Sequence, residues 1–540
     1  MIKVAEQLIS TLKELGVKYI FGVPSGNWVD YLEVIRKTPG IEFILVSNEA
    51  SGGFMADVHW RLTGNMAACF GTFGPGACNL STGVCGGRLD RSPMIALGDE
   101  PDDEMVNRIT QMNINQQELF KPITKIQSRL KPGRIRETLH EAYKIALSEV
   151  PGPVYIGIPS GIAGLQSDEK LSGLPDIPEI GDPAEAELKK MADLFKASEK
   201  PIIAAGITAV RLRAGKYITE LADRYGIPVI LTPMAKGLIH ENHSWYGGVL
   251  SHAMSDIVAE TYQQADLVMG IGYDPVEFNY EEWMPGAQLI HMDTTNSEMT
   301  FFKERKVQNV IGNINTGIKR LINSDVTKKM WDPEEIVKRK KEIFTILGGQ
   351  GETFDTLSVL KELRKKLPDN GIMTCDVGAH LHLTGQAWKA FSPENQQMTN
   401  GCSSMGFGIP AAISAKLSKP ERDVVCITGD GGFLMMAGEM ATVKRLGLKV
   451  IFIILNDGEL SLISIKQDKK NYSTYGTGLF KKTERIGDSF FGVPVITASS
   501  IKTYRNALEN AFATDGPSII EVIVKKEDYE NFILKGNKLN

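Results

Sequence analysis

Cysteine is scarce: six residues in 540, with no CxxC pair among them. Cys69, Cys78, Cys85, Cys375, Cys402 and Cys426 mostly sit in apolar segments, which argues against a zinc ribbon or a secreted disulfide framework and for reduced thiols in a cytoplasmic protein. Long apolar runs are also missing. "VIFIIL", among the longest, falls far short of the roughly 20 residues a bilayer span needs. The opening "MIKVAEQLISTLKELGV" has neither the apolar block nor the small-residue cleavage site of a signal peptide. It reads as an amphipathic helix with Val4, Leu8, Leu12 and Leu15 on one face. No long basic run stands out, and 60 Lys plus Arg against 65 Asp plus Glu give a net charge of −5. Nucleic acid and anionic membrane are therefore poor expectations as partners. No GxGxxG loop occurs at "AAGITAVRLRAG", where a dinucleotide enzyme would need one, so a Rossmann oxidoreductase is not expected.

What is present is an ordinary globular composition, 42% hydrophobic and 23% charged, with length for about three domains of ~150 residues each. Short apolar runs alternate with helix-length segments. Residues 1–165 carry "YIFGV", "IEFILV", "MAACFGT", "PMIALG" and "PVYIGI". After a polar, Pro-containing linker, residues 185–325 carry "PIIAAGI", "IPVILT", "DLVMGIG" and "QLIHMD". A charged connection, "DPEEIVKRKKEIF", leads to residues 350–530 with "GIMTCDVG", "DVVCIT", "KVIFIIL", "VPVIT" and "SIIEVIV". Runs of this length, separated by crossover helices, predict parallel sheets covered on both faces. The expected fold is α/β, three consecutive doubly wound parallel-sheet domains.

The stretch "VVCITGDGGFLMMAGEMATVKRLGLKVIFIILND" carries the chemistry. A buried strand exits into Gly429-Asp430-Gly431-Gly432, whose glycines allow a tight turn and close approach to a ligand. A helix is predicted over Phe433–Leu446, with its N–H groups open to an anion. The next strand ends at Asn456. Strand carboxyl ends share one crevice in an open α/β sheet, so Asp430 and Asn456 can converge there. Both are oxygen ligands that suit Mg²⁺. A lone Gly-Asp-Gly is more often only a turn; the second strand and its amide shift the reading toward a diphosphate-bound cation.

With 24 residues between Gly431 and Asn456, the stretch resembles the Gly-Asp-Gly…Asn signature of thiamine diphosphate (ThDP) enzymes. The resemblance implies that Asp430, Asn456 and the carbonyl of Gly458 hold Mg²⁺, and that Gly431 and Gly432 approach the diphosphate. It extends to "FILVSNEASGGFMAD", where Glu49 matches the family's essential glutamate although Asn48 replaces the usual His. It also covers the turn Gly74-Pro75-Gly76 and "DVGAHLHLTGQAW", with His380 at the diphosphate loop and Ala379 where Gln is common. In "TNGCSSMGFGIP", Met405 stands at the wedge that bends the cofactor, and Ser403 offers its carbonyl in place of the commoner Gly. Glu49 would hydrogen-bond the pyrimidine and so activate the thiazolium.

The domain order is similar to the acetolactate synthase and pyruvate oxidase group. Residues 265–293, "LFKPITK" and "ILNDGELSLISIKQ" resemble its FAD-independent, catabolic acetolactate synthases. The expected reaction is decarboxylating carboligation of 2-keto acids, two pyruvates giving acetolactate and CO₂. A 2-keto-acid decarboxylase is the lesser expectation, because the chain lacks the adjacent histidines common in those enzymes. An acyl-CoA or aldehyde lyase, or a non-catalytic ThDP-binding relative, are further alternatives. "KQDKKNY" and "LFKKTER" read either as a phosphate-binding surface or as a solvated lid. Leu462 and Ile463 would lie over the thiazolium, and Ser25 and Phe73 would border the pocket. Asp99-Glu100 stands where the family has a small or amide pair; either Glu100 and its neighbour line the pocket, favouring an aldehyde acceptor, or they point to solvent. FAD is possible but not favoured, and the tyrosine and tryptophan of "GYDPVEFNYEEW" are read as core. The resemblance further implies a homodimer at least, with a homotetramer the usual form, the two halves of each site coming from different chains.

Overall fold

Each of the three apolar series folds into its own sheet in the computed structural model, which describes residues 2–167, 169, 173–250, 255–277, 287–296, 307–327, 329–347, 353–479, 481 and 484–533. The first sheet runs in the order Glu42–Leu45, Tyr19–Gly22, Ala68–Gly71, Ile95–Glu100, Val154–Pro159, Gln127–Arg129, and all its pairs are parallel. The middle sheet, also parallel, runs Tyr246–Val249, Val229–Leu231, Pro201–Ala205, Leu267–Ile271, Gln288–Asp293, Val307–Ile311. The last runs Gln396–Gln397, Ile372–Cys375, Val424–Gly429, Val450–Asn456, Ser518–Ile523, Val493–Ala498, Ser489–Phe490, with only the final pair antiparallel.

Apolar runs predicted the central strands because those strands are buried on both faces. Among the described residues of these three sheets, five strands lack such runs, Gln127–Arg129, Tyr246–Val249, Val307–Ile311, Gln396–Gln397 and Ser489–Phe490, and all lie at sheet edges. An edge strand is covered on fewer sides and needs no continuous apolar sequence.

The chain resolves into two compact units, residues 1–179 with 401–421 and 435–448, and residues 180–400 with 422–434 and 449–540. In the first, helix Val4–Glu14 buries Val4, Leu8 and Leu12 as its periodicity predicts. Helices Glu49–Thr63 and Pro75–Leu89 touch backbone to backbone: a Cβ on Gly83 would lie 2.3 Å from the Ala50 carbonyl oxygen. Helix Gly408–Ser418 joins them, Ser414 donating to the Met55 carbonyl at 2.6 Å. In the second unit the middle and last sheets share a continuous apolar core. The predicted helical connection is Pro333–Ile346.

One helix differs from expectation. Instead of Phe433–Leu446, it starts at Asp430, runs to Met436, breaks at Ala437-Gly438 and resumes over Glu439–Arg445. Among the described residues no helix is long and apolar enough to cross a membrane.

Candidate active site

In the first unit the chemistry gathers where strands end and helices begin. Strand Glu42–Leu45 leads into helix Glu49–Thr63, and the Asn48 side chain caps that helix by accepting from Ala50 N at 2.9 Å. Asparagine is among the best N-caps, so the departure from His leaves the helix start intact. Glu49 is a helix-start acid, but a buried one, 7% exposed. Its Oε2 accepts from Asn79 Nδ2 at 3.0 Å. A Cβ on Gly76 would stand 3.1 Å from Oε1 and 2.9 Å from Thr72 Cγ2, so glycine there makes room for the carboxylate. Glu439, fully buried, accepts from the main-chain N–H groups of Ser47 (2.9 Å) and Asn48 (3.2 Å), fixing the chain just before Glu49. Neither Glu439 nor Asn79 was picked out by sequence pattern, because their contacts lie 391 and 30 residues away in sequence.

Ser403, exposed, has φ +50, the left-handed region where glycine is the usual occupant. Met405 is half-buried rather than a core methionine. Phe73 and Ser25 are half-buried beyond the ends of strands Ala68–Gly71 and Tyr19–Gly22.

Asp99 and Glu100 do not point to solvent; they are 1% and 3% exposed. Glu100 is turned into the domain. It pairs with Arg129 Nε at 2.8 Å and accepts from Gln117 (2.5 Å) and the Tyr155 hydroxyl (3.2 Å). This corrects the expectation of Glu100 as a pocket residue: its carboxylate is spent on internal partners. Asp99 faces the other way, accepting from the Ser25 hydroxyl and lying 3.5 Å from Thr72 Oγ1. Burial raises its carboxyl to about 6. A carboxyl raised on folding makes the fold less stable as pH climbs from its unfolded value near 4 through about 6. Asp99→Asn is therefore expected to stabilise the protein at pH 8 by on the order of 2–3 kcal/mol, with the gain vanishing near pH 4. Denaturant melts across that range test this.

The second unit holds a second cluster. The register that pairs Gly429 with Leu455 puts Asp430, just past the end of its strand, beside Asn456 at the end of the next. Asp430 Oδ1 accepts from Gly431 N (2.7 Å) and Oδ2 from Gly458 N (2.8 Å). Asn456 donates its Nδ2 to Glu521 Oε1 at 2.7 Å, so its Oδ1 remains the acceptor of that amide. Gly458 adopts φ +79, and its carbonyl accepts from Leu479 N at 2.8 Å with a second lone pair to spare. Burial lifts Asp430 to about 6; burial and the Asp430 charge lift Asp457 to about 7. No basic side chain pairs with either acid among the described residues. A buried acid, Asp430, and a half-buried one, Asp457, with no basic partner among the described residues, stand beside an amide and a carbonyl oxygen, and together they form a donor set that fits Mg²⁺. Such a set is not one of three or more His, Cys, Asp or Glu groups, and no cluster of that kind occurs among the described residues.

His380, in helix Ala379–Ala387, is 3% exposed and bonds the Asp376 carbonyl; burial lowers its pKa to about 4. Its Nε2 is buried with no partner among the described residues, an orphan that an anionic oxygen would satisfy once the ring is protonated there. A Cβ on Gly432 would fall 2.7 Å from Thr428 Oγ1 and 2.8 Å from Asp376 Oδ2, so only glycine fits. Leu462 packs with Ala379, beside His380, and Ile463 is 45% exposed. Within the run 265–293, Tyr273 is buried as expected, whereas residues 278–286, with the remaining tyrosine and the tryptophan, lie outside the described residues, as do 480, 482 and 483 in "LFKKTER".

Residues 2–119 match the family model described as the thiamine pyrophosphate enzyme N-terminal TPP binding domain, 188–321 its central domain, and 376–522 its C-terminal TPP binding domain. The chain belongs to the thiamine pyrophosphate enzymes. It is similar to a probable acetolactate synthase large subunit of Methanocaldococcus jannaschii (28% identical, covering 99% of this chain and 94% of the relative). It is also similar to the acetolactate synthase of Bacillus subtilis (27%, 99% and 95%) and to the acetolactate synthase isozyme 1 large subunit of Escherichia coli (26%, 97% and 94%). It is a ThDP-dependent enzyme of the acetolactate synthase-like group.

Proposed function

We propose that this enzyme uses ThDP and Mg²⁺ to decarboxylate a 2-keto acid and join the remaining two-carbon unit to a second carbonyl, converting two pyruvates to acetolactate and CO₂. The observation that carries the reading is the pair of clusters, a buried Glu49 held by Asn79 and Glu439, and Asp430 with Asn456 at adjacent strand ends. Similarity to acetolactate synthases over nearly the whole chain supports the choice of reaction. Bound ThDP would supply a thiazolium carbon that attacks the keto acid and accepts the electrons released with CO₂. Glu49 would hold a proton at the pyrimidine nitrogen. Asp430, Asn456 and the Gly458 carbonyl would hold Mg²⁺, with His380 and the Gly431–Gly432 turn at the diphosphate. Ser403 and Met405 would support the cofactor's bend, and Leu462 and Ile463 the reacting face.

We read the middle domain as working without FAD. Among the described residues its strand ends carry no glycine-rich phosphate loop, and Glu277 occupies N–H groups there, accepting from Ile207 N (3.1 Å) and Met234 N (2.9 Å). Burial raises Glu277 to about 8.

One observation favours a second reading. The Ser25 hydroxyl donates its hydrogen bond to Asp99, so this edge offers acceptors rather than donors. Such an edge suits an aldehyde acceptor better than a carboxylate. Incubating the protein with ThDP, Mg²⁺ and pyruvate, without FAD, and identifying products by NMR decides between them. Acetolactate supports the first reading. Turnover only when an aldehyde is added supports the second, and acetaldehyde alone overturns carboligation. Assembly as a homodimer or homotetramer is part of the proposal, and light scattering of the purified protein tests it.

A further inference from the structure

Glu521 sits in the middle of strand Ser518–Ile523, next to the strand that ends at Asn456, in a register that pairs Ile454 with Glu521. It is fully buried. No basic side chain pairs with it among the described residues; three uncharged donors meet it instead. Oε1 accepts from Asn456 Nδ2 (2.7 Å) and from Ile486 N (3.3 Å), and Oε2 from Thr497 Oγ1 (2.9 Å). A buried carboxylate held only by neutral groups is costly, so its place calls for a compensating role.

We propose that Glu521 is a positioning residue for the cation site: it fixes the Asn456 amide with its oxygen presented as a ligand and strengthens that oxygen as a donor. The inference rests on the reading of Asp430, Asn456 and Gly458 as the Mg²⁺ site. A carboxylate only accepts hydrogen bonds, so it selects the NH₂ side of the amide and forbids the flipped rotamer. An N–H bonded to an anion also shifts amide electron density onto Oδ1, which makes it a better partner for a hard cation. The arrangement is the amide counterpart of a carboxylate behind a metal-bound histidine, where removing the outer partner costs roughly 10–100-fold in metal affinity. Strand Val450–Asn456 supplies the ligand and strand Ser518–Ile523 the group that aims it.

The test measures Mn²⁺, as an oxygen-seeking stand-in for Mg²⁺, by EPR of the free ion at saturating ThDP, with the melting temperature of the metal-free protein taken alongside. Glu521→Ala is expected to weaken Mn²⁺ binding by roughly 10–100-fold. Glu521→Gln, which keeps one acceptor but loses the charge, should fall between Ala and wild type. Thr497→Val removes a donor from the far oxygen without touching Asn456, and should leave Mn²⁺ affinity unchanged or raise it. Unchanged affinity in both Glu521 variants overturns the inference even if their melting temperatures fall. A loss in Thr497→Val as large as in Glu521→Gln overturns it too, because the effect would then be general loosening. If wild-type protein binds no Mn²⁺ with ThDP, the cation-site reading fails and the inference fails with it.

Discussion

Glu49→Gln is expected to leave ThDP and Mg²⁺ bound while turnover falls by about 10²- to 10⁴-fold. That range is what one positioned acid–base group contributes. Glutamine has almost the shape of glutamate, and Asn79 can still donate to its oxygen, so the helix start and its Asn48 cap should survive. What is lost is a group able to hold and return a proton at the pyrimidine. The direct readout is exchange of the cofactor's C2 proton for deuterium, quenched in acid and followed by NMR. Slow exchange with unchanged ThDP affinity supports the assignment. Wild-type exchange would remove Glu49 from the chemistry. Gly76→Ala should mimic part of the loss by steric means, since its Cβ would press on the same carboxylate.

Asp430→Ala is expected to abolish Mg²⁺-dependent ThDP binding without weakening the metal-free fold. Asp430 is buried and Asp457 beside it half-buried, and the charge on Asp430 helps to raise Asp457. Removing one acid relieves that repulsion, which offsets part of the cost of losing its hydrogen bonds to Gly431 and Gly458. Ligand stabilisation separates the two effects. At a ThDP–Mg²⁺ concentration a hundred times Kd, the wild type should gain about 2.7 kcal/mol, and Asp430→Ala nothing. A variant that still gains this stabilisation would move the cation elsewhere. A variant that melts far below wild type without ligand would make Asp430 a structural acid.

Much of this molecule was legible as sequence. Buried parallel strands announce themselves as short apolar runs, because both faces must be covered whatever the partner. The Gly-Asp-Gly turn and the strand-end Asn456 are local features, and their spacing carried the cofactor reading. Glu49 was legible because small and apolar neighbours surround it in the chain itself. Most edge strands were not legible, since partial cover permits polar and glycine residues; Glu42–Leu45, read from its apolar run, is the exception among those described.

The supporting residues were beyond reach for a different reason. Glu439, Asn79 and Glu521 act on residues 391, 30 and 65 positions away, and nothing in their own neighbourhoods marks those partners. Asp99 and Glu100 make the same point within a single dipeptide. Adjacent strand residues face opposite sides of a sheet, so one acid meets Ser25 and the other is neutralised by Arg129. The sequence by itself determined the strands, the turns and the chemical identity of the candidate ligands, because these depend on local spacing and burial pattern. The tertiary structure alone decided which way each acid points and what holds it there, because a side chain's partners are set by strand order and helix packing.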